Sequence, residues 1–379
     1  MLRICGVTFI HTTNYGSCLQ AYALQEAIDG ISVERESFHY ELLLTKFLDY
    51  PRVTIRDLFV KKRHPKNKII KQLIFKYINK IYRIPFIRFE TKHMHYTKCH
   101  SMADLGKLNK VYDAFVCGSD VIWSPEFGFL PTFFLNFAEK YHFSYAASFG
   151  KTEYVDDVVR KRLKYLSTFN RISLREASAK PIVANYVQCP IDVVADPVFL
   201  LKREQWDSIA SSFQKKERYI FVYYTHSTQT LSKFIKKLQK MTGLRVIKSE
   251  SHVNLGGLFQ NGIVTPYSPS KWLQLIRDAE YVVTNSFHAT AFSTIFQKKF
   301  FTVMEGELSA GRNVRMFDYL KAIDLDNRLF NQVPETIDLA TLDYKEAYRR
   351  ISELRKRSYE FLQQNLEAIS AQIPCIDKS

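Results

Sequence analysis

The stretch VVTNSFHATAFSTIF, residues 282–296, guides the interpretation of the whole chain. Residues 282–284 have the character of the end of an apolar strand, and the apolar residues from 289 to 296 recur at helical spacing. Ser286 and His288 therefore fall at a turn from strand to helix. In an open α/β sheet such turns lie at the carboxyl ends of strands, where ligands bind. His288 is either a functional residue or a side chain that caps the helix or fills a polar pocket.

Strand-like and helix-like segments alternate on both sides of this stretch, which predicts an α/β fold. The pattern of strands in the first half ends with residues 192–201, and a new α/β unit begins at residues 218–225. We therefore predict an N-terminal domain of residues 1–203, with a basic helical insertion near residues 50–100. A C-terminal domain of residues 204–379 is predicted to end in a long amphipathic helix.

The composition excludes several classes of protein. Glycine and proline are scarce among 379 residues, and 46% of the residues are hydrophobic, so the chain is neither fibrous nor of low complexity. Its six cysteines are scattered and form no C-x-x-C pair, which predicts a reduced, cytosolic protein without a metal site or a disulfide framework. No signal-peptide layout and no apolar run long enough to span a bilayer are found.

The positive charge is concentrated in one segment. The whole chain has a formal net charge of +16, and the segment from Arg52 to His100 contains fourteen Lys or Arg but only two acidic residues. This segment either has an acidic partner or forms a solvated face.

Small and polar residues lie between the first predicted strand and helix, in HTTNYGSCLQAYAL at residues 11–24. The backbone N–H groups of a helix N-terminus favour an anion. Asn14 and Gly16 are therefore candidate substrate-binding residues, although a plain turn would also use them for unusual backbone angles.

A second strand ends in FVCGSDVIWSP, at residues 115–125. Ser119 and Asp120 could face a substrate or cap a short helix. Trp123 could stack on a sugar or close the pocket.

Three arginines are candidates for binding an anion. Arg175 ends an apolar strand, where its charge needs a partner, either Glu176 or a bound carboxylate or phosphate. Arg312 and Arg315 lie about one helical turn apart and form either an anion clamp or a solvated face.

The order of these segments is more specific than any one of them. The segments NYGSCLQAYAL, DAFVCGSDVIWSP, YAASFG, ISLREASA, DPVFLL and TNSFHATAFSTIFQKKFF together resemble the polysaccharide pyruvyl transferase family. The resemblance runs from about Ile4 to about Leu329, with the basic segment outside its motifs.

The resemblance implies an enzyme of cell-surface glycan synthesis, which takes pyruvate from phosphoenolpyruvate (PEP) and joins it to a sugar as a ketal. It also implies a fold like that of the GT-B glycosyltransferases, with two Rossmann-like domains facing a cleft. Many members have an arginine where this chain has Ser286. Another cation would then bind the PEP carboxylate, and Arg175, Arg312 and Arg315 are the candidates.

This reaction needs a proton donor, a base and cations. His288 and Asp120 are the predicted catalytic residues, because a histidine exchanges protons near neutral pH. Asn14, Gly16, Ser119, Trp123 and Ser286 are predicted to bind substrate together with the three arginines. Neither a cofactor nor a metal is required.

Two other functions agree with the same residues. One is a GT-B glycosyltransferase that uses a nucleotide-sugar donor, and its turnover would release a nucleotide rather than phosphate. The other is a non-catalytic glycan-assembly protein, which would bind sugar without turnover.

The basic segment predicts contact with an anionic membrane. Its apolar residues recur at helical spacing among lysines and arginines, in the order Leu73, Ile74, Tyr77, Ile78, Ile81 and Tyr82. Such a helix suits the inner face of a membrane that presents a lipid-diphosphate-linked sugar acceptor. Packing of the stripe on the protein is the alternative. No nucleic-acid partner is predicted, because no recognisable nucleic-acid module is present.

Overall fold

Two β-sheets, almost entirely parallel, organise the chain in the computed structural model. The first sheet has eight strands and the second has five. We refer to the parts of the chain built on them as the first and the second lobe. The structure describes residues 1–33, 36–45, 81–99, 101–125, 130–150, 161–212, 217–250, 267–309 and 311–372.

The first sheet is built around β1 (Leu2–Val7), which pairs in parallel with β3 (Glu36–Thr45) on one side and β5 (Ala114–Cys117) on the other. Beyond β3 lie its two other partners, β2 (Ser32–Val33), which is antiparallel, and β4 (Tyr96–Cys99). Beyond β5 the sheet continues with β6 (Tyr141–Ala147), β7 (Arg171–Leu174) and β8 (Ile191–Val193). The central strands are nearly continuous apolar runs because both faces of the sheet are covered.

The second sheet is parallel throughout and has the strand order β10-β9-β11-β12-β13. Its strands are β9 (Tyr219–Tyr224), β10 (Arg245–Glu250), β11 (Tyr281–Thr284), β12 (Lys299–Val303) and β13 (Leu329–Phe330). Helices connect the strands of both sheets, as parallel pairing requires.

The helices are α1 (Tyr15–Asp29), α2 (residues 81–93), α3 (Lys180–Val183), α4 (Arg203–Ile209), α5 (Gln229–Thr242), α6 (Pro269–Asp278), α7 (Phe287–Ile295), α8 (Val314–Ala322) and α9 (Lys345–Ala371). Short 3-10 turns fill many of the remaining connections.

In each sheet there is one strand on either side of which the strands that follow it in sequence are added. In the first sheet β1 is followed on one side by β3 and on the other by β5, and in the second sheet β9 is followed by β10 on one side and β11 on the other. At such switch points the loops leaving the two strands diverge and open a crevice outside the carboxyl ends. The turns after β1, β5 and β11 are therefore positioned to form a site.

Aromatic packing joins the two lobes. Tyr15, at the start of α1, stacks on Trp272 of α6 at a centroid distance of 4.9 Å and contacts Tyr223 of β9 at 5.6 Å. Its hydroxyl donates to the carbonyl of Tyr267 at 3.0 Å. All three rings are fully buried, so the core continues from one lobe into the other.

Helix α9 contacts both lobes. Near its start, the Tyr348 hydroxyl donates to the carbonyl of Ile295 in the second lobe at 2.7 Å. Further along, the Ser358 hydroxyl accepts the backbone N–H of Ala195 at 2.9 Å, and Phe361 packs near Phe143 of the first sheet. The helix that ends the second lobe in sequence therefore covers part of the first.

The predicted α/β fold with two Rossmann-like sheets is confirmed, and most predicted strands and helices are present. The predicted strand at residues 192–201 is wrong for most of its length. β8 ends at Val193, and a 3-10 turn follows over Pro197–Phe199 because the Asp196 side chain accepts the N–H of Val198 and caps it. The predicted domains, residues 1–203 and 204–379, stay a prediction; the sheets change between Val193 and Tyr219.

None of the described helices combines the length and the apolar character that crossing a bilayer requires. Most of the predicted basic insertion, including Leu73, Ile74, Tyr77 and Ile78, lies outside the described residues.

Candidate active site

Side chains from the turns after β1 and β5 meet at the switch point of the first sheet. The Ser17 hydroxyl, in the first turn of α1, donates to Asp120 Oδ2 at 2.6 Å. Asp120 has a positive φ of 68° and its Oδ1 accepts the N–H of Val121. This backbone turn directs the Asp120 carboxylate towards α1 rather than along β5.

A buried ion cluster forms after β7 and β8. Arg175 Nη1 donates to Asp196 Oδ2 at 2.9 Å, and Arg175 Nε lies 3.6 Å from Glu176 Oε2. The guanidinium carbon is 4.5 Å from the centroid of the Phe287 ring. Glu176 is held by the Ser148 hydroxyl, which donates to its Oε1 at 2.7 Å. Buried charges need such pairing, since an isolated one costs several kcal/mol.

His288 brings the second lobe into this cluster. It follows β11 as the second residue of α7, and its Nε2 lies 3.4 Å from Asp196 Oδ2. On the other side of the ring is Gly16, where a Cβ atom would lie only 2.0 Å from His288 Nδ1. The imidazole is therefore held between a carboxylate and the backbone of α1.

Electrostatics keep both aspartates ionised. Burial alone would raise the pKa of Asp196, but the neighbouring His288 and Arg175, together with the hydrogen bond from Arg175, outweigh it and hold the pKa below the ordinary value. Burial likewise opposes the lowered pKa of Asp120, which is caused by His288, Arg175, the Ser17 hydrogen bond and Arg315.

Some bonding capacity in the cluster is unused. Among the described residues, Arg175 Nη2 and His288 Nε2 are buried atoms that make no hydrogen bond. His288 and Asp120 are only 6% and 7% exposed. The arrangement thus combines a group able to exchange a proton, two carboxylates and cationic side chains in a site with little access to water.

The structure brings most of the predicted site residues together, in roles that differ in detail. Asn14 caps α1, since its side chain accepts the N–H groups of Gly16 and Ser17. Gly16 is helical and has no unusual backbone angle; its importance is the close approach of His288. Ser119 is buried and donates to the carbonyl of Ala146, while Ser286 precedes α7 without capping it.

The structure corrects the prediction that Trp123 stacks on a sugar. Its side chain is completely buried, stacks on Phe134 at 5.6 Å and donates from Nε1 to the carbonyl of Phe133. A ring with no exposed surface cannot stack on a sugar, so Trp123 belongs to the core of the first lobe.

The other two predicted arginines lie near the start of α8. The Arg315 guanidinium approaches the loop after β6, because a Cβ atom on Gly150 would be 3.8 Å from its Nη1. Its charge also contributes to the lowered pKa of Asp120. The side chain of Arg312 lies outside the described residues.

Sequence reasoning missed Asp196 and Ser17 as site residues. Asp196 lies within the apolar run DVVADPVFLL, where its carboxylate is 2% exposed and needs a cation. A carboxylate within an apolar run indicates that a cation lies nearby, because an unpaired buried charge is costly. Arg175, at the end of another apolar strand, is a residue that could supply that cation.

A family model covers most of the chain, including the residues of this cluster. A sequence model of the polysaccharide pyruvyl transferase family matches residues 14–305, a range that includes Ser17, Asp120, Arg175, Asp196 and His288. The chain belongs to this family, which identifies it as a transferase of polysaccharide biosynthesis. No curated protein matches it significantly.

Solved structures define the fold as GT-B-like. The S. aureus MnaA–UDP co-structure is 10% identical, with a TM-score of 0.50 over 96% of this chain and 91% of that chain. A Listeria monocytogenes protein described as a UDP-N-acetylglucosamine 2-epimerase is 9% identical, with a TM-score of 0.50 over 96% and 90%. At these identities the likeness shows the fold alone.

Gly16→Ala should displace His288 and leave a folded protein. The added methyl would overlap the imidazole, and the overpacking cost of about 1–3 kcal/mol is partly offset because alanine favours a helix over glycine by about 1 kcal/mol. We expect transferase turnover to fall on the order of a hundredfold, because about 1 Å of misplacement has effects of that size. Gly106→Ala is the matched control, since no atom lies within 4 Å of its added Cβ. Unchanged turnover in folded Gly16→Ala would show that the position of His288 does not matter.

Asp196→Asn should lower stability in a pH-dependent way. Removing the carboxylate leaves the buried Arg175 less compensated, a loss of about 3–5 kcal/mol near neutral pH. Because the folded pKa of Asp196 is lowered, its contribution is present above the ordinary aspartate pKa of about 4 and is lost as the pH falls below it.

Denaturant unfolding of wild type and Asp196→Asn between pH 7 and pH 3 measures this difference. The gap between them should narrow below about pH 4. Asp192→Asn, which removes a partly exposed partner of Arg171, should cost less than about 1 kcal/mol. A gap that stays constant down to pH 3 would contradict the assignment of Asp196 as a buried carboxylate.

Proposed function

We propose that the protein transfers pyruvate from PEP to a sugar of a cell-surface polysaccharide precursor and closes a pyruvate ketal. The observation that supports this most is the position of His288, which lies 3.4 Å from the buried Asp196 carboxylate and against Gly16 in the first turn of α1. A family member with a proton-exchanging group in that position has what protonation of an enol requires.

The proposed reaction begins when a proton is added to the methylene carbon of PEP. A sugar hydroxyl attacks the adjacent carbon and loses its own proton. The carbon–oxygen bond to phosphate breaks, and the phosphate leaves with the electron pair. A second hydroxyl then attacks the resulting oxocarbenium carbon and loses its proton, which forms the ketal. Little access to water protects this carbon from hydrolysis.

Each residue has a proposed role in this reaction. His288 donates the proton to PEP and accepts one from a sugar hydroxyl, while Asp196 stabilises the protonated imidazole. Asp120, bound by Ser17, is the second candidate base.

The PEP anion needs a cation, and Arg315 is the better candidate. Arg175 already pairs with Asp196 and Glu176, which leaves its Nη2 for a substrate group. Arg315 lies beside the loop after β6, and its charge acts on Asp120.

His288→Gln should abolish turnover and leave the fold intact. Loss of a general acid–base group typically lowers the rate about a hundredfold to ten-thousandfold. The assay supplies PEP and a panel of glycan precursors, and it measures phosphate release together with the added mass of a pyruvate ketal. His95→Gln is the control, because His95 is exposed and immediately precedes β4, away from the cluster.

The same assay separates the alternative functions. Nucleotide release from a nucleotide sugar, without phosphate release from PEP, would favour a glycosyltransferase. Sugar binding without turnover, unaffected by His288→Gln, would favour a non-catalytic protein. Wild-type turnover in folded His288→Gln would end the proposed role of this residue.

Arg315→Ala should raise the KM for PEP more than the KM for the sugar. Loss of one hydrogen bond to a charged group costs about 1.5–3 kcal/mol, which is roughly a tenfold to hundredfold effect. Lys321→Ala, an exposed cation on the same helix, serves as the control. A change in the KM for the sugar alone would assign Arg315 to the acceptor instead.

We also propose that α2 docks the protein on an anionic membrane. Ile81, Ile84 and Ile87, three residues apart, are 36%, 42% and 39% exposed, while Phe86 and Phe89 on the other side of the helix are buried. Arg88 and Lys92 are exposed on the same helix. An apolar face beside cations suits the interface of a membrane with acidic lipids.

Sedimentation with vesicles measures this docking. Anionic vesicles should capture the protein more than neutral ones, and high salt should weaken the capture. The double variant Ile84→Ser/Ile87→Ser should reduce it more than about tenfold, since burying each side chain contributes about 1.5–3 kcal/mol. Met241→Ser, which changes an exposed residue of the second lobe, is the control. If anionic vesicles capture no more protein than neutral ones at low salt, docking on an anionic membrane is excluded, whatever the PEP assay shows.

A further inference from the structure

A second cluster of reactive side chains lies at the opposite edge of the first sheet. Asp29 is the last residue of α1, His39 lies in β3 and His95 immediately precedes β4. His39 pairs with Arg3 near the start of β1, so the cluster is at the amino ends of the strands, away from His288. One ligand atom from each of the three residues lies within 4.8 Å of the others.

Hydrogen bonds fix the backbone that presents this cluster. Asp29 Oδ1 accepts the N–H of Tyr40 at 2.7 Å, which leaves Oδ2 for a ligand. The N–H of His95 donates to Gln25 Oε1 at 2.7 Å, and Gln25 Nε2 donates to the carbonyl of His93 at 3.1 Å. These bonds fix the backbone positions of Tyr40 and His95 relative to the end of α1.

The two imidazole rings lie beside each other, with an interplanar angle of 49°. Their centroids are 5.0 Å apart, and neither ring makes a hydrogen bond within the described residues. His39 is half-buried and His95 is exposed, so an ion from solvent can reach both. Glu26, three residues before Asp29 on α1, is close enough to interact with the charges of Asp29 and His95.

We propose that Asp29, His39 and His95 bind a divalent transition-metal cation of the Zn²⁺ class. A ligand set of two imidazoles and one carboxylate binds such cations in preference to Mg²⁺ or Ca²⁺. Ligand atoms around tetrahedral zinc are about 3.3 Å apart, as metal–ligand bonds of about 2.0–2.1 Å require. Small side-chain rotations close the present spacing to that value. Glu26 or a water completes the coordination.

The metal would have a structural role. His39 lies in β3 and His95 follows α2. One ion would therefore tie both ends of the chain between residues 39 and 95 to Asp29, at the end of α1. Closing such a loop restricts the unfolded chain more than the folded one. The sequence predicts no metal site because its ligands come from three separate segments and have no short-range spacing.

The experiment uses the full chain, made without a polyhistidine tag and stripped with a chelator. Titration calorimetry with Zn²⁺, and the visible absorption of Co²⁺, measure stoichiometry and affinity. Wild type should bind one ion per chain, and added Zn²⁺ should raise its unfolding temperature. His39→Asn and His95→Gln should each weaken binding at least about tenfold, and His226→Gln should not.

Two results would overturn the site. One is wild type that binds no Zn²⁺ or shows no Co²⁺ absorption. The other is a folded His39→Asn/His95→Gln double variant that binds Zn²⁺ as wild type does. Phosphate release from PEP is measured with and without Zn²⁺ in parallel, and an equal effect of Zn²⁺ in wild type and the double variant would locate the ion elsewhere.

Discussion

The carboxylate of Asp196 is the group on which the rest of the site depends. It is buried, it pairs with Arg175 of the first lobe, and it lies next to His288 of the second. None of these three charged or chargeable groups is stable alone in an apolar interior. The site therefore exists only when β7, the turn after β8 and α7 are all in place, and the packing of Tyr15 on Trp272 is what holds the lobes in that relation. The geometry of this cluster and the docking of the lobes are therefore one physical requirement in this chain.

Much of the fold could be predicted from sequence because its signals are local. Buried parallel strands appear as short apolar runs, and amphipathic helices such as α5 and α6 show their period within a dozen residues. The prediction of strands failed where two local sequence signals favour different structures. Residues 192–201 are apolar enough for a strand, but an aspartate followed by proline favours a capped turn. β3 and β4 were not predicted, because their pairing depends on β1 and on each other.

The site was predictable to the extent that it obeys sheet topology. Ser119, Asp120, Arg175 and His288 all follow strands, and the ends of parallel strands converge. Sequence could not show which side chains turn inwards: Trp123 lies beside Asp120 yet points into the core. Nor could it show the contact between Gly16 and His288, which are distant in sequence and belong to different lobes.

Helix α9 limits how this architecture can be recombined. The helix contacts the second lobe near its start, at Tyr348, and the first lobe further along, where Phe361 packs against Phe143 and Tyr145. A first lobe cut off after β8 would expose those aromatic rings to water, and a second lobe carrying α9 alone would expose Phe361. Exchange of one lobe between related enzymes, in evolution or in the laboratory, therefore requires two crossover points. The second falls inside α9, so that its carboxyl-terminal half travels with the sheet that it covers.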